Sequence, residues 1–287
     1  MPLSIDQRRP DLAAQIEAAY NRARRLPGVM GGVALDSAVE SAFKEHDDTL
    51  DTIGDPDVRA ELETTVDQTN RLFGRVDVSV PKLHEFREAG VDFVDLELRF
   101  SELREQGCDP QIVIAPMLSL DDWRDIYRNL QNDPGVNDNG RIKSAGLYVA
   151  DFIADNWVDL NGWVGPHIVE AQRPNGLIDR WTIGVVAGTD YPTLNNARYG
   201  EIDIAGVGWA PPICQYLTLQ AARLQEHASP VDTASYAWVG APATNPTGEL
   251  VAARGSWNDH TGMLALYVRD THSRPDTAQG SRAACML

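Results

Sequence analysis

The sequence predicts an α+β protein, and three observations carry that expectation. Apolar residues at helical spacing fill the first 75 residues, short apolar strand candidates dominate the second half, and all seven tryptophans lie between Trp123 and Trp257.

Taken in order, Ser4 and Gln7 fit a capping box ahead of a helix with Leu12, Ile16, Ala19, Tyr20 and Ala23 on one face. Ser37 and Glu40 repeat that signal before Val39, Phe43, Leu50 and Ile53. Asp55 followed by Pro56 starts a third helix bearing Val58, Leu62, Val66, Thr69 and Phe73, because proline suits the first turn, where its missing N–H costs nothing. Residues 1–78 are therefore expected to be helical. Two readings of this region stand: an attachment or oligomerisation piece, or an extension packed on the main domain.

Residues 79–287 are expected to form that main domain. A short helix falls near 81–89. Residues 91–100 read as a strand with Val91, Phe93, Leu96, Leu98 and Phe100 as its apolar positions, and 111–115 as a buried strand ended by Pro116. Ser119 caps a helix carrying Trp123, Ile126, Tyr127 and Leu130. A strand at 181–187 and a helix at 213–226 come next. Three further strands are expected at 236–239, 250–253 and 263–268, and 281–286 would close the sheet.

Composition narrows the function classes. The hydrophobic share of 43% suffices for a core. A net charge of −17 argues against nucleic acid or an anionic membrane, since phosphate binding needs clustered Lys and Arg. No run of about 18 apolar residues is present to span a membrane, and residues 1–10 lack the apolar stretch of a signal peptide. Cys108, Cys214 and Cys285 are too few and too scattered for a disulfide framework or a paired-cysteine metal site. His260, His272 and Cys285 match no metal-ligand spacing, and nothing orients Asp259 and His260 as part of a catalytic triad. No catalytic residue, metal or cofactor is expected.

The informative stretch is 254–284. Leu264, Leu266 and Val268 alternate with Ala265, Tyr267 and Arg269, the pattern of a half-buried strand that turns the second set outward. Its polar residues are chemically mixed, with no shared charge sign. Mixed side chains on a rigid strand suit contact with a large partner, and Tyr and Arg are frequent anchors of such contacts.

The motifs here resemble a known family. Arg254-Gly255-Ser256-Trp257, a Gly262-led strand and Gly280-Ser281-Arg282-Ala283-Ala284 resemble the end of the variable proteins of diversity-generating retroelements. The usual opening has one more residue before the tryptophan, and the usual close has Phe where Ser281 stands. Upstream, PQIVIAP with LSLDDWRDIY, and YLTLQAARLQ with Pro230-Val231-Asp232 and Tyr236-Ala237-Trp238, resemble that family's earlier elements more weakly. The resemblance implies a C-type-lectin-like fold over 79–287, related to that of formylglycine-generating enzymes. It also implies a diversified surface rewritten at Asn codons, which never become Lys, Glu, Gln, Met or Trp. Neither Lys nor Glu occurs after Glu249, while Met263 and Gln279 would have to be fixed positions.

By that resemblance the ligand-contacting residues are Asn258, Asp259, His260, Thr261, Ala265, Tyr267, Arg269, Asp270, His272, Arg274, Asp276 and Thr277. The scaffold residues are Trp257, Gly262, Leu264, Leu266, Val268, Pro275, Gly280 and Arg282. Arg282 fits either a buried pair with a carboxylate or the rim of the surface. The expected partner is a protein or glycan on another cell surface, and the expected location a virion or cell surface, otherwise the cytoplasm. The oligomeric state stays open. Two other readings remain: an oxidising enzyme of the formylglycine-generating type, which would need Cys214 and Cys285 as a reactive pair, and a structural virion protein without diversification.

Overall fold

The computed structural model describes residues 49–143, 146–161, 167–189, 194–195, 210–271, 279–281 and 284–286. The chain divides into two compact units, Met1–Asp51 and Thr52–Leu287, and nearly all of the described residues belong to the second. The first predicted helix and nearly all of the second predicted helix lie outside the described residues. The described residues form a mixed helix and sheet structure.

Helix α1 (Pro56–Phe73) begins where Asp55 predicts: the Asp55 carboxylate accepts from the Asp57 amide at 2.8 Å. Its inner face carries Val58, Leu62, Thr65, Thr69, Leu72 and Phe73. Phe73 meets Trp123 and Trp181 edge-on, with ring centroids 5.8 and 5.2 Å apart. The helix therefore packs into the same unit as the sheets.

Short helix α2 (Leu83–Glu88) lies where one was expected. The strand expected at 91–100 is instead helix α3 (Phe93–Glu105). Its buried residues, Phe93, Leu96, Phe100 and Leu103, follow a three-and-four spacing that alternation does not produce. Val94 and Leu98, which a strand would have buried or alternated, are exposed. The overlooked signal is Asp92, whose carboxylate accepts from the Val94 amide at 2.8 Å and caps the helix.

The first sheet joins β1 (Pro110–Pro116), β3 (Val169–Gln172), β4 (Ile178–Ala187) and β10 (Ala284–Met286), every pair antiparallel. Strand β4 is central, between β1 on one side and β3 and β10. Thr65 of α1 donates to the Ile112 carbonyl at 3.1 Å, tying the helix to β1. Helix α4 (Leu120–Asn132) starts at Ser119, whose hydroxyl accepts from the Asp122 amide at 3.1 Å, and it buries the predicted Trp123, Ile126, Tyr127 and Leu130.

A buried ion cluster fastens α4 to β4. Arg173 grips Asp179 through Nε (2.6 Å) and Nη2 (2.8 Å), and Asp122 through Nη1 and Nη2, both at 3.0 Å. Two planar forks satisfy one guanidinium, geometry that suits arginine and not lysine. Its hydrogen bonds, ahead of its charge, hold Asp122 below the ordinary carboxylate range and push Arg173 up.

The second sheet runs in the order β2-β8-β7-β6-β9-β5. These strands are β2 (Leu147–Val149), β5 (Leu194–Asn195), β6 (Tyr236–Thr244), β7 (Leu250–Asn258), β8 (Met263–Asp270) and β9 (Gln279–Ser281). The expected closing strand at 281–286 is thus two short strands in different sheets: β9 beside β6, and β10 beside β4. Between α4 and β3 lie α5 (Asp151–Asp155) and α6 (Trp157–Asn161), and α7 (Ile213–Gln225) precedes β6. Tyr127 of α4 donates to the Leu217 carbonyl of α7 at 2.9 Å.

Candidate ligand interface

The hairpin β7–β8 holds the predicted surface, and its two faces differ. Opposed residues in an antiparallel pair share a face, and neighbours along a strand alternate. On the inner face Trp257, Leu264 and Leu266 are buried, as expected of scaffold. Gly255 belongs to this face too. The Tyr216 ring of α7 lies against it so closely that a Cβ would overlap the ring. Tyr216 is itself fixed: its hydroxyl donates to Asp232 Oδ2 at 3.0 Å and accepts from Gln220 Nε2 at 3.0 Å. Asp232 also accepts from Ser235 at 3.1 Å, and its carbonyl accepts from the Trp257 amide at 3.2 Å. Buried Asp232 thus locks the helix, the 230–235 turn and the hairpin together.

On the outer face Arg254 stands opposite Tyr267, Ala252 opposite Arg269, and Ser256 opposite Ala265. Tyr148 of β2 stands beside Ala265. Its ring lies 5.6 Å from that of Tyr267, and Tyr236 of β6 lies 6.3 Å from Tyr267 on the other side. The Arg254 guanidinium sits 4.2 Å above the Tyr236 ring and 5.9 Å from Tyr267. Burial holds the Tyr267 phenol above its ordinary value, Tyr236 and Tyr148 add to that, and Arg254 opposes it.

The hairpin tip is more constrained than its sequence suggests. Gly262 adopts φ +60°, and the Arg141 carbonyl lies where a Cβ would stand. Asn258 Oδ1 accepts from the Thr261 amide at 3.0 Å, an Asx turn that shapes the loop. Asp259 Oδ1 accepts from the Trp257 indole at 2.9 Å and lies 3.9 Å from Arg141. His260 is exposed, and its carbonyl accepts from Lys143 Nζ at 3.4 Å.

The predicted contact residues fall in several settings. Asn258, Asp259 and His260 are exposed, Thr261 is half-buried at the tip, and Tyr267 and Arg269 are half-buried on the outer face. Asp270 is half-buried one residue on, at the opposite pleat, facing Val251. Ala265 departs from expectation: it lies on the outer face but is 2% exposed, and Ala252, Ser256 and the large Trp238 opposite Arg254 are buried on that face as well, so this part of it is covered. Val268, assigned to the scaffold, is only half-buried. Gly280 pairs with Ala237 and with Asn195. His272, Arg274, Pro275, Asp276, Thr277 and Arg282 lie outside the described residues.

Sequence reasoning missed Tyr148, Tyr236 and Arg254. Arg254 sits in the quoted motif, two alternation steps along β7 from Asn258, the first residue of the assigned set. Tyr148 carries no local signal, because β2 joins β8 in parallel across a long sequence separation.

Cys214 is fully buried, and burial pushes its thiol up to about 12, so it stays protonated at neutral pH. Among the described residues no cluster of His, Cys, Asp and Glu is placed to hold a metal, and no helix is long and apolar enough to cross a membrane. Comparison with protein-family models, curated proteins and solved structures gives no match to this chain.

Proposed function

We propose that the protein is a ligand-binding protein that displays a diversified contact surface on the β7–β8 hairpin, over a C-type-lectin-like scaffold. In this reading it resembles the variable proteins of diversity-generating retroelements and serves in attachment, on a virion or a cell surface. One observation carries the proposal: a single hairpin buries Trp257, Leu264 and Leu266 on one side and carries half-buried Tyr267 and Arg269 on the other. The neutral, buried Cys214 thiol favours binding over the oxidising chemistry of formylglycine-generating enzymes, which needs a reactive thiolate.

The test is an exchange of His260, Tyr267 and Arg269 for other residue types. Partner choice is expected to change while the melting temperature stays within a few degrees, because exposed substitutions move stability by about 0.5 kcal/mol and half-buried rings by about 1. Loss of folding in most exchanged sets would contradict the proposal. A near-copy of the 254–284 coding region, differing at adenines and lying beside a reverse-transcriptase gene, would support the diversification arm separately.

A further inference from the structure

Helix α1 covers a strand edge. Among the described residues β1 pairs only with β4, so its other edge turns main-chain groups toward the helices. Such groups need partners, since a buried amide or carbonyl left alone is costly. At Ile112 two side chains one helical turn apart supply them: Thr65 donates to the carbonyl at 3.1 Å, and the Glu61 carboxylate accepts from the amide. Residues two apart on an antiparallel strand turn these groups to the same side, so Ile114 faces the same edge. There α1, β1 and α7 leave a cavity of about 20 Å³, and both Ile114 and Thr218 of α7 line it. Thr218 is 4% exposed, and its hydroxyl has no hydrogen-bond partner among the described residues. We infer that this cavity is a binding site for one ordered water molecule, which joins the Thr218 hydroxyl to the main chain of Ile114.

Size and polarity name the ligand. One water needs about 10–15 Å³ of such space and two to four polar partners. The cavity has room for one molecule of that size and for nothing larger. Thr218 supplies a hydroxyl that donates or accepts, and Ile114 supplies one donor and one acceptor, so the partner count is met. A cavity lined only by apolar side chains stays dry, whereas this lining also includes Thr65, Thr69 and Gln111.

The water also accounts for how two helices share one strand edge. Side chains of α1 cover the edge at Ile112, and the water carries the cover on to α7 at Ile114. At the exposed rim Gln68 of α1 donates to Glu226, just past the end of α7, so the two helices are tied there as well. Helix α1 thus stands where a further strand would otherwise pair, and β1 offers no free edge at these residues.

The test is a high-resolution crystal structure of the full chain, together with thermal melting of Thr218→Val. A density peak is expected within about 2.7–3.2 Å of Thr218 Oγ1 and of a main-chain atom of Ile114. Valine keeps the branched shape and nearly the same helix propensity while removing the hydroxyl, so the sign of its effect decides. With water bound, the substitution takes away one of the water's partners, and the melting temperature should fall by about 2–4 °C. In a dry cavity it removes a buried hydroxyl that bonds to nothing, and the melting temperature stays level or rises. A cavity without density at that position, or a valine variant that melts at or above the parent, would overturn the inference.

Discussion

Strands β4 and β8 lie in the two sheets of one unit and are built differently. Strand β4 is buried along residues 181–187 without a break, whereas β8 is buried only at 264–266 and half-buried from Tyr267 onward. Unbroken burial means that β4 is covered on both sides, so every side chain there is fixed by packing. Strand β8 is buried on both faces at Leu264–Leu266 and half-buried on both from Tyr267 to Asp270, and the proposed recognition surface lies in that half-buried part.

Substitutions can break or sharpen this contrast. The largest effect is expected at Arg173. Changing Arg173→Met strands buried Asp179 of β4 without its partner and should cost about 3–5 kcal/mol in denaturant unfolding. The variant should also differ in acid. Asp122 is held below its ordinary value when folded, so its contribution is present above the unfolded carboxylate range and lost as pH falls through the folded value. The native protein should therefore hold its stability from neutral pH to about pH 4 and lose part of it below, and Arg173→Met should lack that part of the decline.

Next comes the hairpin's inner face. Gly255→Ala drives a methyl into the Tyr216 ring, and overpacking of this kind costs about 1–3 kcal/mol. An unchanged melting temperature would mean that Tyr216 moves aside easily, and the inner face would then be no more rigid than the outer. The smallest effects are expected at the tip, where they divide. Asp259→Ala removes the acceptor of the Trp257 indole and should cost about 1 kcal/mol, whereas exposed His260→Ser should cost about 0.5 kcal/mol or less. Equal effects at the two positions would remove the distinction between a tip that holds shape and a tip that is displayed.

Local signals in the sequence located much of this structure. Ser119 and Asp55 marked helix starts, and the alternation at 263–268 marked β8, because caps and pleats depend on neighbours in sequence. The strand expected at 91–100 failed because its apolar residues satisfied two periods at once, and the cap at Asp92 decided between them. The inner face of the hairpin was legible, since Leu264, Leu266 and Trp257 are apolar at the right parity. Half of the aromatic surface was not. Tyr148 reaches Tyr267 through a parallel pairing that no local pattern encodes, and the turn roles of Asn258 and Asp259 depend on atoms, not residue types.

The pairing of β10 with β4 has a consequence for synthesis. Strand β4 leaves the ribosome long before Ala284–Met286, and the hairpin is made in between. Until Ala284–Met286 emerge, the Gly184–Val186 stretch of an apolar strand has no neighbour on that side, a sticky edge of the sort that chaperones and proteases recognise. A chain cut short by a stop codon anywhere in 254–283 never gains that neighbour.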